Sequence, residues 1–369
     1  MQQSTVSSQA TLTSSQVELP TTMGLDLSDR LSHYHVLKGD GQTLVRGKLP
    51  TLREDLAQLF NRWKGCRLVI EAGGHSPWIS RLGAECGMEV VVANPRRVEL
   101  ISKSDRKTDR TDAELLAELG RTNVALLAPI THRSKETQAD LAIQRARDEA
   151  VGVRTSLINH VRGVLKSNGH RAPGVSPESF GIRVEASIPA DLAAALKPLL
   201  RLIQQVNVQV KQFDREIAKV SRERYPITQL LQQLPGVGPL VSFAYVTTLE
   251  DPKRFKSARD VGAYLGLVPR KRSSGKSDPQ MRITKAGDGQ TRRLLVLAAN
   301  YIMGRFGPDC DLRRYGLKIA GNGTDKAAKK RGRVAVARKL AVLMHHLWRT
   351  GEVYDPFHTT KKRGEPMPG

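Results

Sequence analysis

Between Thr22 and Arg133 short extended runs alternate with amphipathic stretches, and this order constrains the fold more than any other feature of the chain. Three strands are predicted first, over Gly24 to Leu27, His33 to Leu37 and Thr43 to Gly47. Gly39-Asp40-Gly41, between the second and third, is a hairpin signal. A helix then begins in Pro50-Thr51-Leu52-Arg53-Glu54-Asp55-Leu56, with Thr51 as candidate cap and acidic side chains in the first turn. Its apolar positions Leu52, Leu56, Leu59 and Phe60 have helical spacing. A strand Leu68 to Glu71, a helix Trp78 to Glu85, a strand Glu89 to Val92 and a helix after Lys107 complete the series. The order β-β-β-α-β-α-β-α suits a mixed sheet with helices on its faces.

The remainder reads as helical. Ser134 to Lys166 is a long helical pattern without internal proline, and residues 168 to 190 are broken by Gly169, Pro173, Pro177, Gly181 and Pro189. In Ala190 to Arg224, residues Leu192, Leu196, Leu199, Leu200, Ile203, Val206, Val210, Phe213, Ile217 and Val220 form one apolar stripe. By helix geometry the stripe runs for roughly ten turns. It could close a hairpin inside the chain or zip two protomers together. Tyr225-Pro226 marks a further boundary. The expected organisation is a Ser/Thr/Gln-rich disordered leader over residues 1–20, an α/β domain over 21–133 and a long-helix, coiled-coil-like connector over 134–225. A helical domain over 226–350 and a flexible tail over 351–369 follow.

Composition narrows the partners. The 369 residues carry 59 Lys and Arg against 36 Asp and Glu, a formal net charge of +23. Such an excess attracts polyanions and releases their condensed counterions. No apolar stretch approaches the roughly 20 residues that span a bilayer, and no secretory signal is legible. Cys66, Cys86 and Cys310 are widely separated, with no CxxC pair, so neither a zinc ribbon nor a disulfide framework is supported. A reducing, cytoplasmic location is therefore expected. His345-His346, among Leu343, Met344, Leu347 and Trp348, reads as core packing or surface placement.

Four acidic residues carry the candidate chemistry. Asp26 and Glu71 end apolar strand-like runs, and Asp109 and Asp112 sit three apart at the start of a helical pattern. Carboxylate oxygens are hard ligands suited to Mg²⁺, with Mn²⁺ as a substitute. Two such ions polarise both the attacking and the leaving oxygen of an in-line phosphoryl displacement. Each residue also has an ordinary explanation. Asp109 and Asp112 favour a helix N-terminus, and Asp26 and Glu71 suit a strand edge. Asp29, Asp105 and Glu114 are neighbouring competitors, with Asp105 the most plausible substitute.

Gly24-Leu25-Asp26, Val69-Ile70-Glu71-Ala72, Asn94-Pro95 and Lys107-Thr108-Asp109-Arg110-Thr111-Asp112-Ala113 resemble the DEDD transposases of the IS-one-hundred-and-ten group, also described as bridge-RNA-guided recombinases. The resemblance continues through Leu234-Pro235-Gly236-Val237-Gly238, Gly262 to Pro269, Ser273-Ser274-Gly275-Lys276 and Ile283 to Asp288. It covers nearly everything from residue 23 to about 350, and the order and spacing of the motifs make it specific. It implies a ribonuclease H-like (RuvC-like) N-terminal domain, a helical connector and a C-terminal transposase domain. The four metal-binding acids map to Asp26, Glu71, Asp109 and Asp112, and Ser274, directly before glycine, maps to a serine nucleophile. The resemblance further implies DNA partners (element ends and target), a structured guide RNA, and composite sites in a homodimer or homotetramer.

Read from the residues alone, Ser273 and Ser274 are also ordinary turn residues, and Gly275-Lys276-Ser277 is no phosphate-binding P-loop, because the required earlier glycine is Arg270. Arg270, Lys271, Arg272, Lys276, Arg282 and Lys285 are candidate phosphate contacts around the serines. Gly236 and Gly238 lie in a turn like that of a helix-hairpin-helix, whose amides can receive a backbone phosphate; an ordinary helix-helix turn is the alternative. Lys329, Lys330, Arg331 and Arg333 lead into an apolar helix and make either a nucleic-acid contact or a solvated face. Aromatics are only 5% of the chain, which favours duplex and structured RNA backbones over base stacking. The leading expectation is a metal-dependent DNA recombinase using a serine nucleophile. The alternatives are a structure-specific nuclease with water as nucleophile and a non-catalytic nucleic-acid-binding protein.

Overall fold

Alternation along the first strand decides which helix covers which face. The computed structural model describes residues 19–101, 109–270, 281–321 and 325–362. It divides into two compact units, residues 1–133 and 134–369. In the first, strands β1 (Thr22–Asp26), β2 (Leu31–Leu37), β3 (Thr43–Pro50), β4 (Arg67–Glu71) and β5 (Glu89–Ala93) form one mixed sheet in the order β3-β2-β1-β4-β5. The first three are antiparallel, while β1–β4 and β4–β5 are parallel. Lys38 and Gln42 close the β2–β3 hairpin through a 2.9 Å backbone bond. Met23, Leu25, Leu68, Ile70 and Val92 point to one face. They are covered by α1 (Arg53–Arg62) and α2 (Ser76–Glu85) through Leu56, Phe60 and Ile79. The opposite face carries Val69, Val91 and Ala93 beneath α3 (Pro95–Ile101) and α4 (Asp109–Thr122). A two-faced α/β sheet follows directly from this alternation.

One predicted cap is placed differently. Helix α1 starts at Arg53 with no side-chain cap, and the Thr51 hydroxyl instead meets that of Ser32 at 2.8 Å inside the fold. A buried hydroxyl needs a partner more than an exposed helix end does, since water satisfies the latter.

In the second unit, α5 (Lys135–Ser167) and α7 (Ala193–Arg224) pair with each other, so the apolar stripe closes a hairpin within the chain. Leu196, Leu200 and Ile203 pack on Ile158, Val161 and Leu165, with Phe180 of α6 (Pro177–Arg183) wedged between them. The Arg154 guanidinium is buried there, donating to Asn207 Oδ1 at 2.8 Å and pairing with Glu178 at 3.1 Å. At the other end of the hairpin, Ile217 and Val220 meet Phe243. Arg224 and the Tyr225 hydroxyl satisfy the buried Asp140 carboxylate at 2.5 and 2.8 Å.

Phe243 belongs to α9 (Pro239–Leu249), which follows the short α8 (Ile227–Leu231) and is buried at every position from Ser242 to Leu249. It packs on α11 (Gly289–Ile302), α5, α7 and α8, and Tyr245 donates to Ala341 O of α13 (Lys326–Thr350) at 2.6 Å; α10 (Ala258–Tyr264) and α12 (Asp311–Ala320) pack on α13. Its apolar composition on all sides reflects that central place. His345 is fully buried on α13, its Nε2 2.9 Å from Pro252 O, and burial holds its pKa below the usual value; His346 is exposed and meets Glu352 at 3.1 Å.

Residues 351–362, expected to begin a flexible tail, pack back on the unit. Asp311 accepts from Thr359 N at 2.6 Å, Thr360 N at 3.2 Å and the Thr360 hydroxyl at 2.5 Å, at the base of α14 (His358–Lys362). Asp311 N in turn donates to Pro356 O. Burial raises the Asp311 pKa, but the bonds from Thr360 and Thr359 outweigh it and hold the carboxyl below its ordinary 3.8. A depressed pKa contributes stability above the unfolded value and loses it as pH falls through the folded one. Amide exchange protection of residues 353–362 is therefore expected to persist at neutral pH and to fall on acidification below 3.8. Asp311→Ala removes that protection at every pH.

Candidate active site

Register brings two of the four acids side by side. Leu25 of β1 pairs with Ile70 of the parallel β4, so Asp26 and Glu71 are the next pair, at the C-terminal ends of adjacent strands. Alternation turns both toward the face that carries α4. Along that face α4 runs antiparallel to β1. A methyl group on Gly120 would come within 2.2 Å of Val69 and 3.3 Å of Thr22, whereas one on Gly24 would reach Ala113 O at 2.0 Å and Ala117 N at 2.4 Å. Moving from Thr22 to Gly24 thus corresponds to moving from Gly120 to Ala113–Ala117. One further step in each element, about 6 Å by helix and strand geometry, brings positions 109–112 level with Asp26 and Glu71. Ala113 and Ala117, four residues apart, are buried on the sheet-facing side of α4.

Asp26, Glu71 and Asp112 are each half-buried. The side chain of Asp109 lies outside the described residues. Of the competitors, Asp29 is exposed and bonded to His75 at 2.9 Å, Glu114 is exposed, and Asp105 lies outside the described residues. Among the described residues no three His, Cys, Asp or Glu side chains are already gathered to hold a metal ion. The donor set nonetheless fits a hard divalent cation: oxygen ligands on two strand ends and one helix turn, at one end of one sheet face.

What sequence reasoning missed is the pair of glycines that lets α4 lie directly on the strands. Gly24, two residues before Asp26, was the available signal. Gly24→Val is expected to destabilise the first unit by about 3 kcal/mol, since overpacking against helix backbone cannot be relieved by a rotamer. Gly74→Val, where nothing lies within 4 Å, is expected to leave thermal unfolding nearly unchanged. Differential scanning of the two variants checks this.

In the second unit Gly236 takes a φ of +74°, which favours glycine, and a methyl there would meet Ala298 O at 2.9 Å. Gly238 is the N-cap of α9 and supplies no capping side chain. The turn opens onto a groove lined by Leu294, Leu297 and Tyr301 of α11, more apolar than a pure phosphate contact requires. Lys271, Arg272, Ser273, Ser274 and Lys276 lie outside the described residues. The described residues on either side of them form a short ladder, with Arg270 N donating to Arg282 O and Thr284 N to Val268 O, both at 2.9 Å. Arg292 ties this base down through Leu265 O at 3.1 Å and Ala286 O at 2.7 Å. Arg270, Arg282 and Lys285 are exposed around it, Lys285 with a φ of 54°. On α13, Lys329, Lys330 and Arg331 are exposed and Arg333 half-buried, opposite the inward-facing Ala328, Gly332 and Val336.

Two family models match. One, for a DEDD-type transposase, covers residues 23–168, and the other, the transposase IS116/IS110/IS902 family, covers residues 228–315. The chain is 30% identical over 289 residues to the transposase for insertion sequence element IS1328 of Yersinia enterocolitica, covering 78% of this chain and 85% of that one. It is 28% identical over 301 residues to the transposase for insertion sequence element IS1111A of Coxiella burnetii, covering 79% of each.

Proposed function

The chain belongs to the IS110 family of DEDD transposases, and from that membership we propose that it cuts and rejoins DNA at the ends of an insertion sequence through a carboxylate site and a serine nucleophile. What supports the proposal is the parallel register of β1 and β4 together with the packing of α4 on Gly24, from which positions 26, 71, 109 and 112 are expected at one end of one sheet face. Asp26, Glu71, Asp109 and Asp112 would hold Mg²⁺, which when bound supplies Lewis-acid stabilisation of charge on the phosphoryl oxygens. With the ion bound, these carboxylates would fix the scissile phosphate through it; without it they would repel that negative charge.

Ser274 Oγ attacks phosphorus. A P–Oγ bond forms as the P–O bond to one deoxyribose breaks; the serine proton is lost and the departing alkoxide gains one. The phosphoserine diester retains the bond energy needed for rejoining, when a sugar hydroxyl displaces Oγ. Serine is a weak nucleophile at its free pKa, so it needs a base or a metal ion to activate it. The exposed Arg270, Arg282 and Lys285 at the base of its loop supply charge for the phosphate that develops.

An element-encoded RNA guiding the choice of sites accords with a formal net charge of +23 and a protein rich in backbone-binding cations. No helix among the described residues is long and apolar enough to cross a membrane.

The test is a denaturing gel of the full chain incubated with labelled element-end duplex, Mg²⁺ and the RNA transcribed from the DNA flanking its gene. A labelled protein–DNA adduct that disappears on protease treatment is expected. Cutting without any adduct would instead favour the nuclease reading, with water as nucleophile.

A further inference from the structure

Beside the carboxylates, the α4 face of the sheet continues into a strip of opposite charge. The antiparallel registers align Asp26 with His33 and His33 with Lys48, and Gly24 with His35 and His35 with Arg46. Paired residues in a ladder project to one side, as do residues two apart along a strand. His33, His35, Arg46 and Lys48 therefore share the face of Asp26. They floor a groove of about 230 Å³ whose far wall is Ala113, the residue after Asp112 on α4. Arg46 and Lys48 are exposed on the edge strand β3, and neither has a carboxylate partner among the described residues. His35 is buried between them and β1, its Nε2 held at 3.0 Å by the Thr43 hydroxyl.

Strand geometry sets the scale. Lys48 and Arg46 are about 7 Å apart along β3, and their column lies two strand spacings, about 10 Å, from Asp26. A phosphodiester held at Asp26 and Glu71 would thus have its nearest neighbours along the same strand within reach of these two cations.

We propose that Arg46 and Lys48 form a backbone-binding track that positions the DNA strand on one side of the scissile phosphate. The inference rests on the reading of the acidic site as the place of cleavage. The two are positioning residues: they hold non-reacting phosphates, and binding to those phosphates aligns the reacting one. Edge-strand cations also serve simply to discourage strand addition, a role that involves no particular phosphate.

The experiment compares the wild-type chain with the Arg46→Gln/Lys48→Gln double variant, and with Arg53→Gln as a control on the opposite, α1-covered side. The substrates are element-end duplexes in which single phosphates flanking the cleavage site are replaced by neutral methylphosphonates. The double variant is expected to raise KM by about 10- to 100-fold with kcat within about 3-fold, and to lower the salt slope of binding by about 2. Neutralising one or two phosphates on one side only should weaken wild-type cleavage and have little further effect on the double variant. Arg53→Gln should behave as wild type. Equal sensitivity of wild type and double variant to every methylphosphonate, or an unchanged KM and salt slope, would overturn the track while leaving the cleavage reading intact. A wild-type chain that, with Mg²⁺ and the RNA transcribed from the flanking DNA present, cuts none of the unmodified duplexes would overturn the cleavage reading, and the track with it.

Discussion

Asp26→Asn is expected to lower the rate of DNA strand cleavage by at least about 10³-fold while leaving nucleic-acid binding within a few-fold of wild type. The substitution keeps size and shape at the end of β1 and removes one charge from the oxygen donor set. Charge stabilisation by a bound metal ion is worth several kcal/mol in a phosphoryl transfer, and each 1.36 kcal/mol is a factor of ten in rate. Binding depends mainly on the many cations elsewhere in a chain of formal charge +23, so it should change little. The fold should also survive, because Asp26 is half-buried at a strand end, outside the packed set of Met23 and Leu25. Glu71→Gln and Asp112→Asn should show the same pattern, since the proposed site includes both. Single-turnover cleavage of labelled duplex, run beside a gel-shift titration, separates the two effects. Wild-type turnover in Asp26→Asn with normal binding would remove this carboxylate from the site and return it to a strand-edge role.

Ser274→Ala is expected to abolish both strand exchange and the covalent protein–DNA species, again by at least about 10³-fold, because a step whose nucleophile is deleted has no equivalent group to replace it. Ser273→Ala, one residue earlier, should retain most of the activity. The pair makes a sharp comparison, since both changes are small and fall at adjacent positions of one short segment, flanked by the Arg270–Arg282 and Thr284–Val268 backbone bonds. An adduct formed by Ser274→Ala but lost in Ser273→Ala would transfer the nucleophile to the neighbouring residue.

Much of the first unit was legible because its signals are local. Short apolar runs with acids at their ends marked β1 and β4, and the Gly39-Asp40-Gly41 turn marked the β2–β3 hairpin. The proximity of positions 109–112 to Asp26 could not be read in the same way. It depends on Gly24 and Gly120 letting α4 rest on the strands, and a glycine in a strand does not say what will approach it. The apolar stripe of α7 was equally ambiguous, since a stripe specifies burial and not the identity of the covering partner; α5 and Phe180 proved to be that cover. Asp311, which holds residues 359 and 360 from 48 and 49 positions away, had no local signature at all. The cations of β3 were overlooked for a related reason. Arg46 and Lys48 look like ordinary edge charges until the register aligns them with Asp26.

The central claim is that the ends of β1 and β4 and the first turn of α4 together make a binding place for a divalent cation. Anomalous scattering from crystals of the chain grown with Mn²⁺ tests it most directly. A peak about 2.1 Å from carboxylate oxygens of both Asp26 and Glu71, and of Asp109 or Asp112 as well, is the expected result. A map with no peak at that end of the sheet, from crystals in which those side chains are well defined and Mn²⁺ is in excess, would contradict it.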